Sequence, residues 1–394
     1  MNENTSNITG DNNINLQEIS ARDIIINIAK DLPAEVKQQK QALNEKIKSL
    51  VEKLAAIDEK ISGQPQANSF TPPENDPGYD AVRWRRLLQA LRHQGCVLFI
   101  GPEVSTNADG KSLHTEFYKA LAKDFDDIQF LEHEGFFSPE SDEEILYDIL
   151  DFYSKDFPKK NIAGRKILEK LAEVPFSLII SLCPDDTMHK VFNDYGVNHE
   201  FLAYDGTKQE VDSINPEKPV IYNILGNATS NGRYIFTHEN FYNYLNKISV
   251  PSGIKKKIQE ATHYLFIGFD FDKWYNRLLL FILDFEQKKS GAHRMTVGNK
   301  NMQQEIERFI EKQFNITFIE NDYSQFIDWL LHNVAEEGIK KNLNKDFVQN
   351  NFTRLKSLSN KVGSEDNTDE LLKFEEQTSE IGKSIEKFQQ RITA

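Results

Sequence analysis

The sequence predicts an α/β protein built on a parallel sheet, preceded in the chain by a β-hairpin with a long helix and followed by a helical C-terminal segment. Three observations carry this prediction. Between residues 79 and 333, short apolar runs of strand length alternate with helical patterns, the signature of a parallel sheet with crossover helices. Three of those runs end in a glycine, Gly101, Gly226 or Gly268, followed by a polar turn and a helix. The chain of 394 residues is 39% apolar and 27% charged, enough for one or two packed domains and incompatible with a wholly disordered chain.

After a polar opening, two short β-type stretches, 13–19 and 23–28, are separated by Ser20-Ala21-Arg22. Their Ile14, Leu16, Ile19, Ile24, Ile25 and Ile26 suit a small hairpin. Two strands alone are marginal in water, so this hairpin is expected to dock on something, such as another subunit. One long helix then opens at Pro33 and ends at Ser62, ahead of Gly63. Along it Leu43, Ile47, Leu50, Leu54, Ile57 and Ile61 recur with the a/d rhythm of a coiled coil. The stripe serves either self-association or packing on the chain's own globular part. Residues 1–62 therefore read as an assembly module, with a homo-oligomer or a partner protein as the expected associate. Pro65, Pro72, Pro73 and Pro77 make 63–78 a linker.

In the α/β domain, 79–333, the expected strands are 96–100, 177–181, 220–224, 264–267, 295–297 and 316–319. Helices are expected at 84–93, entering the first strand, at 115–125, leaving it, and at 303–314, joining the last two. The final segment, 334–394, is rich in Lys, Asn and Glu. Its spaced Leu355, Leu358, Leu371, Leu372, Phe374, Ile381, Ile385 and Phe388 predict helices interrupted around 363–368. No internal repeat of fixed period is present.

Forty-seven basic against 61 acidic residues leave a net charge of −14, which argues against a general nucleic-acid binder. Cys96 and Cys183 are the only cysteines, too few for a disulfide framework or a cysteine zinc site, and consistent with a reducing cytoplasm. The polar start lacks the pattern of a secretory signal and no apolar run is long enough to span a bilayer, so a cytoplasmic protein without a membrane partner is expected. The nine histidines show no metal-ligand spacing, and no metal site is expected. The many aromatic residues fit packing better than base stacking at this charge.

Four stretches hold the candidate chemistry. In the first, the apolar run 96–100 leads into Gly101-Pro102-Glu103-Val104-Ser105, where nucleotide-binding folds bring backbone N–H groups to a pyrophosphate. Here Pro102 lacks an N–H and Glu103 adds negative charge. In the second, a strand ends in Ser181-Leu182-Cys183-Pro184-Asp185-Asp186. Asp185 faces a crevice or caps the next helix, and Asp186 reads as a cap. The third holds Leu225-Gly226-Asn227, with His238 thirteen residues beyond Leu225. The fourth is Gly268-Phe269-Asp270.

In this order the four stretches resemble the sirtuin-like (silent-information-regulator-type) domains of bacterial antiphage defence proteins, the NAD-binding and NAD-hydrolysing relatives of protein deacetylases. The resemblance spans about residues 80–333 and implies a Rossmann-like sheet. In that family the first loop reads Gly-Ala-Gly-x-Ser, the second Thr-x-Asn-x-Asp, the third His-Gly after a strand, and the fourth Gly-Tyr-Ser or Gly-Phe-Ser. The matching positions imply Gly101, Ser105, Asp185, Gly226, Gly268 and Asp270 as nucleotide-binding residues, with NAD or an ADP-ribose-type nucleotide as the ligand class.

The departures are chemical. The family's His acts as general base and its Asn orients the attacking water, and here those positions are Leu225 and Cys183. Only His238, if the intervening turn brought it near, would restore a base. No catalytic residue is therefore assigned. The resemblance implies a pseudoenzyme of a bacterial defence or conflict system, acting as a scaffold or a nucleotide sensor. The alternative is an active NAD hydrolase that arrests infected cells by depleting NAD, and a chromosome-associated module fits the acidic balance least.

Overall fold

The computed structural model describes residues 33–63, 81–106, 111–124, 128–139, 143–207, 209–229, 234–283, 285, 292–298, 302–320 and 322–392. The hairpin expected over 13–28 and nearly all of the linker lie outside these residues. The elements in chain order are α1 (Ala34–Gly63), α2 (Ala81–Arg92), β1 (Cys96–Ile100), α3 (Leu113–Asp124), β2 (Ile128–Leu131), β3 (Phe136–Pro139), α4 (Glu143–Lys160) and α5 (Ile162–Ala172). They continue with β4 (Leu178–Ser181), α6 (Thr187–Asp194), β5 (Glu200–Ala203), β6 (Val220–Asn223), α7 (His238–Lys247), α8 (Ser252–Glu260), β7 (His263–Ile267) and α9 (Trp274–Ile282). The last are β8 (His293–Gly298), α10 (Gln304–Phe314), β9 (Ile316–Glu320), α11 (Tyr323–Glu336), α12 (Leu343–Ser364) and α13 (Thr368–Arg391). Among the described residues no helix is long and apolar enough to cross a membrane.

The chain forms two compact units. The larger, 81–193 with 198–342, is a Rossmann-like α/β sheet of seven strands in the order β5-β6-β4-β1-β7-β8-β9, all pairs parallel. β1 lies at its centre. All five of its residues are buried, as are all five of β7 and all four of β4 and β6. Strands covered on both faces read as unbroken apolar runs, and these are the runs the sequence exposes most clearly. The register Ile100 with Ser181 and Ile267 brings the C-terminal ends of β1, β4 and β7 level. Phe99 and Phe266 stack at 4.6 Å between neighbouring strands. A separate antiparallel pair, β2 with β3, leads into α4 and carries a second aromatic cluster of Phe117, Tyr118, Phe137, Tyr153, Phe157 and Phe236.

The smaller unit contains α1, the turn 194–197, α12 and α13. Leu43, Ile47, Leu50, Leu54 and Ile57 are buried against Phe347, Leu355, Val362, Ile381 and Ile385. Of the two roles open to the stripe, packing within the chain is the one seen: the C-terminal helices, whose apolar positions repeat at the same spacing, cover it. Lys40 is buried in this unit with its ammonium on Asp366 (2.7 Å), which turns a charged position of α1 into a clamp on the α12–α13 connection. The family resemblance concerns the other unit.

Candidate functional site

In an open parallel sheet, ligands bind outside the carboxyl ends of the strands where the chain reverses direction of travel across the sheet. Here that place is the end of β1, flanked by β4 and β7. The two loops that leave β1 and β7 press against each other. A Cβ on Gly101 would lie 2.0 Å from the Gly268 carbonyl oxygen, and one on Gly268 would lie 2.2 Å from the Val104 nitrogen. Gly268 also sits at φ +64°. Both glycines are therefore required by a backbone-to-backbone contact.

The same contact occupies the donors of the first loop. Glu103 N–H donates to the Gly268 carbonyl (3.1 Å), Val104 N–H to Gly101 (3.2 Å) and Ser105 N–H to Pro102 (3.2 Å), while Pro102 has none to offer. A pyrophosphate placed against this turn would find no free N–H on residues 102–105. The buried Ser105 side chain packs beside Gly164 at the start of α5, where an added Cβ would meet its Oγ at 2.3 Å.

Beyond the turn lies a cavity of about 40 Å³, lined by Glu103, His114, Pro184, Leu225, Asp270 and Tyr275 among others. That is room for a few water molecules and far below the roughly 300–1,000 Å³ of ordinary ligand pockets. Leu225, which the resemblance pairs with the family's histidine, forms part of the wall and is buried. Two carboxyl groups share the cavity. Burial, and then the nearby Asp270 charge, raise the Glu103 pKa to about 7, against an opposing hydrogen bond from Ser112 and the Lys273 ammonium.

Asp185 is buried, and its Oδ1 accepts from Thr187 N–H (2.8 Å), so its carboxyl does cap the start of α6. Its Oδ2 is turned to a different neighbour, described below. Asp186 holds Lys190 at 2.7 Å on the same helix. Gly226 takes φ +96° and pairs as an isolated bridge with Tyr234, a turn role. Asp270 Oδ1 accepts from Asp272 N–H (2.9 Å) while the residue lines the cavity. His238 stands at the first turn of α7, 3.5 Å from Glu134 and edge-on to Phe136, and does not line the cavity beside Leu225. Of the six residues expected to bind nucleotide, only Asp270 is in the cavity wall, because close loop packing and turn formation engage the others.

The residue missed by sequence is His114. It lies in the first turn of α3, is 2% exposed, and lines the cavity. Its Nδ1 is hydrogen-bonded with Tyr153 Oη at 3.0 Å, and its ring stacks on Phe157 at 4.2 Å. Burial drives its pKa down to about 3, so the ring is neutral. Among the described residues its Nε2 has no hydrogen-bond partner, and it faces Asp185 Oδ2 at 3.7 Å. Cys183 completes the group: one donor atom each from His114, Cys183 and Asp185 lie within 4.8 Å of one another, all buried. Histidine spacing along the chain gives no sign of this group, because its members are brought together only by the fold. The fold brings His114 of α3 to two residues of the loop after β4 that lie sixty-nine and seventy-one positions further along the chain.

No curated protein matches the sequence. Residues 178–319 match the family model described as SIR2-like domain, a span that includes β4, β6, β7 and β8 and the loops bearing Asp185, Leu225 and Asp270, and that begins after the Gly101 turn. Residues 178–319 are thus similar to a SIR2-like domain, and the parallel strand order of the sheet they belong to agrees with that match.

Proposed function

We propose that the SIR2-like domain of this protein has lost NAD hydrolysis and serves a cytoplasmic bacterial defence system as a scaffold or nucleotide-sensing component. The observation that carries the loss is the state of the crevice: Leu225 stands where a general base is needed, and the N–H groups of the turn after β1 are engaged with Gly268 and with one another. A general base contributes about 10²–10⁴-fold to rate, and leucine can neither accept nor donate a proton. The carboxyls of Glu103 and Asp270 in a small cavity further disfavour a pyrophosphate. The defence setting rests on the resemblance, and an oligomeric assembly on the hairpin expected over 13–28, since the stripe of α1 is covered by α12 and α13.

A hydrolase reading has one observation in its favour, the unpartnered Nε2 of His114 in the cavity wall. Incubation of the purified full chain with NAD separates the two. Expected is nicotinamide release no faster than the blank. Release that is abolished by His114→Ala and retained by His238→Ala would overturn the proposal and make His114 the base.

A further inference from the structure

We propose that His114, Cys183 and Asp185 form a binding site for a divalent transition metal of the zinc class. The three donor atoms, Nε2, Sγ and a carboxylate oxygen, are the ligand types such an ion selects, and they already lie within 4.8 Å of one another. In a tetrahedral zinc site neighbouring donors stand roughly 3.3–3.8 Å apart, given metal bonds of about 2.0–2.3 Å. Closure requires a shift of about 1 Å, within the reach of small rotamer changes.

Two further observations point to a ligand. The first is the orphaned Nε2 of His114: a buried imidazole nitrogen without a hydrogen bond is costly, and a metal bond satisfies it. The second is the support around the group. The hydrogen bond between Nδ1 and Tyr153 Oη (3.0 Å) fixes the ring, and in the tautomer with the proton on Nδ1 it presents the Nε2 lone pair to Asp185 and Cys183. Cys183 N–H donates to Ser181 Oγ (3.1 Å), and Asn223 Nδ2 donates to the Asp185 carbonyl (2.9 Å). Thr187 N–H holds Asp185 Oδ1, which leaves Oδ2 toward the histidine. Ligand orientation by such outer hydrogen bonds is the usual companion of a metal site. Binding displaces the Cys183 thiol proton, and any proton on Asp185, to solvent. The site does not depend on NAD binding or hydrolysis.

The test uses the full chain, purified without a metal-affinity tag, stripped with a chelator and titrated with Co²⁺ and then Zn²⁺. Expected are uptake of about one ion per chain, thiolate-to-cobalt charge-transfer absorption, and a higher melting temperature with Zn²⁺. Cys183→Ser should abolish the absorption and weaken binding by at least about 10–100-fold, the range that loss of even a supporting contact causes. Cys96→Ala should keep both, since that thiol lies in β1 outside the group. Should Cys183→Ser fail to fold, the wild-type absorption together with its loss in Asp185→Asn decides. Absence of charge-transfer absorption at equimolar Co²⁺, or its persistence in Cys183→Ser, would overturn the proposal.

Discussion

At Gly101 and Gly268 the same residue type that signals a phosphate loop in a sequence performs a different task. Both were legible as strand-end glycines, but which neighbour demands the missing side chain is a tertiary fact. A Cβ at Gly268 meets backbone atoms and also requires a left-handed residue, whereas Gly338, at φ +66°, has nothing within 4 Å. Gly268→Ala is therefore expected to cost roughly 3 kcal/mol or more, and Gly338→Ala only about 1–2 kcal/mol for the backbone conformation. Denaturant unfolding of the two variants checks the ranking, and equal losses would refute the loop contact. Glu103 supplies a second residue-scale prediction. Its folded pKa, about 7, lies above the 4.5 of a free glutamate, so its favourable contribution is complete below pH 4.5 and lost as pH rises to 7. His263 acts in the opposite direction: burial first, then His293 and Arg86, lower it to about 4, and stability falls as pH drops from 6.5 toward 4. Glu103→Gln stays neutral throughout. Its melting temperature relative to wild type should rise from near zero difference at pH 4 to a clear gain at pH 8, and a difference independent of pH would refute the assignment. Leu225 and Cys183 could be picked out in the sequence because motifs are linear. His114 could not, since its partners come from another loop.

Elements differed in legibility for the same kind of reason. β1, β4, β6 and β7 are buried on both faces and announce themselves as apolar runs. β5, Glu200–Ala203, is a half-buried edge strand of four residues, and an edge strand needs neither a long apolar run nor a strong pattern. The β2–β3 pair was missed because its turn, Glu132 to Gly135, reads as a charged loop, although Gly135 at φ +77° closes it and Lys273 Nζ donates to the His133 carbonyl (3.0 Å) beside it. The pattern over 33–62 predicts α1 almost to the residue and its apolar stripe as well, yet a stripe does not name what covers it. Leu54, fully buried among α12 and α13, tests the cover. Leu54→Ala should destabilise the helical unit by about 2–5 kcal/mol. Lost helical circular dichroism at lower denaturant is the expected signal, and an unchanged midpoint would mean that the helices do not pack on α1.

At the scale of the molecule, the two units have different sequence layouts. The sheet unit is nearly continuous, which is why its strand order follows from alternating patterns. The helical unit is assembled from α1, a four-residue turn at 194–197, and the last fifty residues, so its core is made by contacts spanning three hundred positions. Within it Lys387 reaches Asp194 at 2.9 Å, Arg391 Nη2 donates to the Asp194 carbonyl at 3.2 Å, and Asn350 Nδ2 donates to the Gly196 carbonyl at 2.6 Å. Neither half of this unit can bury its apolar face alone, because α1 without α12 and α13 exposes Leu43, Ile47, Leu50, Val51, Leu54 and Ile57 together. Truncation after Asn342 is therefore expected to convert the internal seam into an external one. Light scattering should show a larger assembly than the full chain forms, as α1 helices from different molecules pair along the a/d stripe. Removing residues 1–63 as well should return the remaining sheet unit to a smaller, soluble species. If truncation after Asn342 left the assembly size unchanged, the stripe would have to be covered by something other than the C-terminal helices, and the packing described for the helical unit would be wrong.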